Sequence, residues 1–132
     1  MTQHLYAILI LLIVFVIGES TWLYLMRPMY KEWLAPYNRG LVIQSTWAAV
    51  LAYVGLLGAF YFLVLRKIST SGAESVLSGI AFGLAVYGTY NLTNMATLTH
   101  YSWQMVCADT AWGTLWFGLL AGLMWYITRT KK

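Results

Sequence analysis

The chain has 132 residues, 61% of them hydrophobic and 9% charged, with a net charge of +4, seven Trp and ten Tyr. A soluble domain carries about 25% charged residues. So few charges over so much apolar surface exclude a soluble globule and point to a bilayer. The basic residues stand at segment ends and form no stripe, which excludes a nucleic-acid surface and marks them as membrane anchors and topology signals.

In chain order, residues 5–26 form a first apolar run of the length that crosses a bilayer as a helix. The residues before it lack Lys and Arg and no small-residue cleavage site follows, so it reads as a retained span rather than a signal peptide. Residues 27–40 begin with Arg27-Pro28, and Tyr30, Trp33, Leu34 and Tyr37 recur at helical spacing opposite Lys31 and Glu32. That pattern predicts a short interfacial helix on the membrane surface, broken at Pro36. A second span covers 41–65 and stops at Arg66-Lys67; Ser71-Gly72 then supplies turn chemistry. The third span covers 76–98, and Ser102 is the expected N-cap of the fourth, 103–127. The predicted fold is therefore all-α: one domain, a polytopic four-helix membrane bundle with a short interfacial helix between spans 1 and 2.

Four spans put both termini and the 66–75 loop on one side, with Arg66, Lys67, Arg129, Lys131 and Lys132, against Arg27, Lys31 and Arg39 on the other. The bias places the termini in the cytoplasm, in a cell inner membrane. The 98–102 turn then lies at the outer end. Glu19, Asn91 and Asp109 fall about two helical turns below that end, and Gln44 and Asn94 about one. Ionisable groups inside a span are costly and are functional candidates by default, so these side chains are expected to face one another or a wet cavity.

A local motif repeats around them. Glu19-Ser20-Thr21-Trp22, Gln44-Ser45-Thr46-Trp47 and Asp109-Thr110-Ala111-Trp112 each put a polar head and an indole at i, i+3 on one helix face. Asn91 and Asn94 share that spacing, and Tyr87 extends their stripe. The expected binding residues are Glu19, Gln44, Asn91, Asn94 and Asp109, with Tyr87 beside them and Trp22 and Trp112 as walls. Asp109, the sole Asp, is the first choice for the residue that matters most. In the inner half, Gly79-x-x-x-Gly83 and Gly118-x-x-x-Gly122 allow close helix approach, either between spans 3 and 4 or between two copies of the chain. Tight inner packing with bulky outer aromatics predicts a cleft that opens outward.

Other chemistries are set aside. No His/Cys/Asp/Glu spacing fits a metal, no cofactor-binding motif is present, and no nucleophile stands beside a base. Cys107 cannot form an intrachain disulfide and reads as a buried, inert thiol. Three function classes compete: binding or transport of a proton, cation or small polar or lipid ligand; a membrane enzyme acting on a lipid headgroup or isoprenoid, with Asp109 or Glu19 as general acid/base; and a structural subunit whose polar groups lock helix packing. The expected partners are membrane lipids and a second copy of the chain.

YNLTNMATL followed by DTAWG, with acid-x-x-Trp in the first span, resembles the bacterial DUF2177 family of small predicted membrane proteins, over almost the whole chain. Many members have an acid where this chain has Asn91, a departure that counts against a mechanism with three carboxylates. The resemblance implies the four-span fold and brings no activity with it.

Overall fold

The computed structural model describes residues 2–37, 45–67 and 71–129, with side chains from residue 6. Among the described residues four helices follow one another: α1 (Thr2–Trp33), α2 (Thr46–Leu63), α3 (Gly72–Thr97) and α4 (Trp103–Arg129), with a short 3-10 turn, Leu65–Lys67, after α2. Among the described residues three segments are long and apolar enough to cross a membrane by length and composition: Tyr6–Trp33, Thr46–Lys67 and Trp103–Arg129.

No separate interfacial helix stands between α1 and α2 among the described residues. Instead α1 runs 32 residues without a break, through Pro28, and ends in turns at 34–37. Proline removes one backbone donor and crowds the preceding turn, yet here the helix passes through it. At about 1.5 Å per residue α1 is about 48 Å long. Of the aromatic face expected of an interfacial helix, Tyr30 and Trp33 belong to the last part of α1, while Leu34 and Tyr37 lie in the turns after it and Tyr37 is exposed. Tyr30 is 4% exposed and packs with Tyr101, Met105 and Val106, flanked by Trp22, Met26, Trp33 and Leu34. This cluster covers the end of the bundle that carries the 98–102 turn, the end at which a cleft was expected.

α3 and α4 form the closest pair. The pairings of Gly79 with Phe117 and Ala121, Gly83 with Gly113, and Asn91 with Asp109 make them antiparallel. A Cβ on Gly79 would meet the Phe117 carbonyl and lie 2.8 Å from the Ala121 Cβ, and one on Gly83 would meet the Gly113 carbonyl. Gly118 and Gly122 admit Ile80 and Val76 in the same way. Both glycine pairs are thus used within the chain, where bare backbone lets two helices approach. The turn between them holds His100 at φ 65°, the left-handed region. As expected, Ser102 caps α4: its Oγ accepts from the Met105 amide at 3.3 Å.

The apolar core fills the half of the bundle away from the 98–102 turn. Phe117, fully buried, lies 4.7 Å from Phe60, 5.0 Å from Phe82 and 6.1 Å from Phe15 between ring centroids, with Leu11, Val64, Leu120 and Met124 around it. α2 joins this core through Leu56, Leu57, Phe60, Tyr61 and Val64, one stripe at helical spacing. Towards Thr46 it stands away: Trp47, Val50, Leu51 and Val54 are exposed, and a Cβ on Gly55 or Gly58 would meet nothing within 4 Å. Cys107, expected to be buried, is exposed on α4.

Candidate functional site

Helical periodicity sets the site's geometry. On α1, Glu19, Trp22, Met26 and Tyr30 fall at i, i+3, i+7 and i+11, one continuous face. On α4, Asp109, Trp112 and Trp116 do the same. α3 adds Tyr87 and Asn91, and the α3–α4 turn adds Tyr101.

Two hydrogen-bonded arms converge on Asp109. In the first, the Trp22 indole N–H donates to the Tyr30 hydroxyl at 2.9 Å, and that hydroxyl donates to Asp109 Oδ1 at 2.6 Å. In the second, the Tyr101 hydroxyl donates to Asn91 Oδ1 at 3.0 Å, while Asn91 Nδ2 donates to Asp109 Oδ2 at 2.7 Å and to the Tyr87 carbonyl at 2.9 Å. Asn91 is fully buried and makes bonds through both ends of its amide. Both Asp109 oxygens accept, and every donor is neutral.

Glu19 sits deeper and is bound differently. It is 8% exposed. Its Oε1 accepts from the Trp112 indole at 3.0 Å and, more weakly, from the Tyr87 hydroxyl at 3.4 Å. Among the described residues no donor reaches Oε2, and no Lys, Arg or His acts on the carboxylate. The two acid-x-x-Trp motifs therefore cross. The α4 indole binds the α1 acid directly, and the α1 indole reaches the α4 acid through Tyr30. The indoles of Trp22 and Trp112 stack face to face, 4.7 Å apart and 3° from parallel. Trp116 continues the stack at 5.1 Å and 13°.

The family model described as "Predicted membrane protein (DUF2177)" matches residues 4–126. The chain belongs to the DUF2177 family. No curated protein and no solved structure matches it.

Of the residues expected to form the site in this DUF2177 protein, the structure brings together Glu19, Trp22, Tyr87, Asn91, Asp109 and Trp112. Asn94 stands one turn higher, beside the Tyr101 phenol. Gln44 lies outside the described residues, and the indole of its motif, Trp47, is 72% exposed and takes no part in the hydrogen bonds described above. Among the described residues no group of three or more His, Cys, Asp or Glu could hold a metal.

Tyr30 and Tyr101 were not anticipated as site residues; Trp116 follows from the Asp109-Trp112-Gly113-Trp116 face of the fourth span. Tyr30 was readable only by carrying the Glu19–Trp22 stripe through Pro28. Tyr101 follows His100 in a turn that carries no charge, where a phenol gives no sign of pointing inward. Burial pushes the Tyr101 hydroxyl above the ordinary tyrosine range, so it keeps its proton and remains a donor at neutral pH.

Proposed function

We propose that this DUF2177 protein is a four-span protein of the cell inner membrane, with both termini cytoplasmic, that binds or transports a proton, a cation or a small polar or lipid ligand at Glu19. The observation that carries this reading is the unequal state of the two acids. Asp109 has both oxygens matched by donors built into the fold. Glu19 is buried, has one oxygen matched and no basic partner among the described residues. A buried carboxylate with one oxygen matched among the described residues is the group with capacity for a guest. This shifts the emphasis from Asp109, first choice on sequence, to Glu19.

The test is Glu19→Gln. The amide oxygen still accepts from Trp112, so thermal stability in detergent should change by less than about 1 kcal/mol. Native mass spectrometry of purified protein should lose any co-purified solute that the wild type retains. In proteoliposomes with an internal pH dye, proton flux, if that is the cargo, should fall to the protein-free rate. Wild-type retention and flux in Glu19→Gln would overturn the reading.

The second reading is a structural subunit, and the matched arms at Asp109 favour it for the upper half of the site. In that case Glu19→Gln leaves every ligand and flux readout unchanged while Asp109→Asn destabilises. A second copy of the chain would meet the α2 face, since both glycine pairs are occupied inside the chain.

A further inference from the structure

The three stacked indoles differ in what holds them. Trp22 is tied by its N–H to the Tyr30 hydroxyl, and Trp112 by its N–H to Glu19 Oε1. The Trp116 N–H is buried and has no hydrogen-bond partner among the described residues. A buried indole N–H ordinarily finds an acceptor, so what the fold uses at 116 is the ring. That ring bridges two helices. It stacks on Trp112 at 5.1 Å and 13° from parallel, and its Cε2, Cζ2 and Cη2 atoms pack against Gly18, a buried glycine of α1. A Cβ at 18 would overlap the ring, coming to 2.7 Å from Cε2. Glycine there is what leaves room for the indole.

This packing bears on Glu19 through Trp112. An indole has one donor, and a hydrogen bond weakens steeply as its donor swings off line. Among the described residues two donors reach Glu19 Oε1. The Trp112 N–H, at 3.0 Å, is the closer; the Tyr87 hydroxyl, at 3.4 Å, is a weak substitute. Whatever fixes the plane of the Trp112 ring therefore fixes how Oε1 is held. Trp22 does so as the indole anchored to Tyr30, stacked on Trp112 at 4.7 Å and 3°. Trp116 does so as the indole seated on Gly18. We propose that Trp116, seated on Gly18, is a positioning residue for Glu19. It sets the plane of Trp112, and through it the bond to Oε1, without itself touching the guest. This deepens the reading of Glu19 as the binding residue, and rests on it for its functional meaning.

The test reads the Trp112 N–H. In detergent-solubilised protein labelled with 15N-tryptophan, the indole resonance that Trp112→Phe removes belongs to Trp112. Trp116→Leu takes away the stacked ring and alters neither Trp112 nor Glu19. The Trp112 N–H should then move upfield, towards an unbonded indole, and exchange with water about two- to tenfold faster, the strength of one hydrogen bond. Met124→Ala opens a cavity in the core about two turns further along α4. It should lower thermal stability and leave that resonance in place. A Trp112 resonance that does not move in Trp116→Leu overturns the proposal. So does one that moves as far in Met124→Ala, since it then reports a general loosening of the bundle. Should Trp116→Leu fail to fold, Gly18→Ala, which presses the ring away from α1, is read in the same way. If the Trp112 N–H is released while Glu19→Gln behaves as wild type, the positioning role stands and the functional reading falls. If it is not released while Glu19→Gln abolishes retention or flux, the positioning role falls and the Glu19 reading stands.

Discussion

Both oxygens of Asp109 accept from neutral donors, and this decides what its substitutions do. Asparagine at 109 offers one acceptor and one donor. Its amide then faces either the Asn91 NH2 or the Tyr30 hydroxyl, and Tyr30 already accepts from Trp22. We expect Asp109→Asn to lose about 1–3 kcal/mol, the cost of a buried group left unmatched. Tyr30→Phe orphans Asp109 Oδ1 and the Trp22 N–H together and should cost a similar amount. The two residues share one bond, so the double variant should fall short of the sum. Thermal unfolding in detergent measures all three, and strict additivity would break the arm apart. At this scale much was legible. Polar groups within a span must find each other, and i, i+3 spacing fixes which of them share a face, so Glu19, Trp22, Asn91, Asp109 and Trp112 could be read together. Spacing does not say whether a partner stands opposite. Trp47 carries the same motif and is 72% exposed, while Tyr30 and Tyr101 look like ordinary interfacial aromatics in sequence and are buried.

The helices differ in how tightly they are held, and their glycines report it. Gly79 and Gly83 face α4 main chain, which cannot move aside as a side chain can. Gly83→Ala should therefore force α3 and α4 apart, at a cost of about 1–3 kcal/mol. The Asp109–Asn91 bond, on the same seam, should weaken with it. Gly55 and Gly58 on α2 have nothing within 4 Å. Alanine there meets no atom and favours the helix by about 0.5–1 kcal/mol, so Gly55→Ala should be neutral or stabilising in the same melt. His100, at φ 65°, gives a third test. His100→Gly relieves the left-handed residue and should stabilise the turn, by up to about 1–2 kcal/mol. The turn and the Ser102 cap were legible because local chemistry sets them. The length of α1 was not. Proline with a charged neighbour reads as a span end, and only contact with Tyr101 and Met105 shows why the helix continues.

Over the whole molecule, the position of α3 decides the topology. α3 is not among the segments apolar enough by composition to be a candidate span. The reason is visible in its two faces. The buried face holds Ser75, Gly79, Gly83, Gly88 and Asn91, which lower mean hydropathy yet meet α4 or the polar network. The outward face holds Leu77, Leu84 and Leu92, each more than half exposed. A helix that is polar toward its neighbour and apolar outward is what a bilayer requires of a helix whose polar groups are satisfied within the bundle. On the proposed four-span reading α3 crosses the membrane, with its two ends on opposite sides. Single cysteines at Ala73 and Thr99, both exposed, test this in a Cys107→Ala background, since Cys107 is itself exposed. Under the proposed orientation a membrane-impermeant maleimide added to intact cells should label Thr99→Cys, and should reach Ala73→Cys only after the membrane is opened. Labelling of both from outside would leave α3 short of the far side. The termini would then lie on opposite sides of a three-span protein, and Glu19 and Asp109 would no longer share a depth.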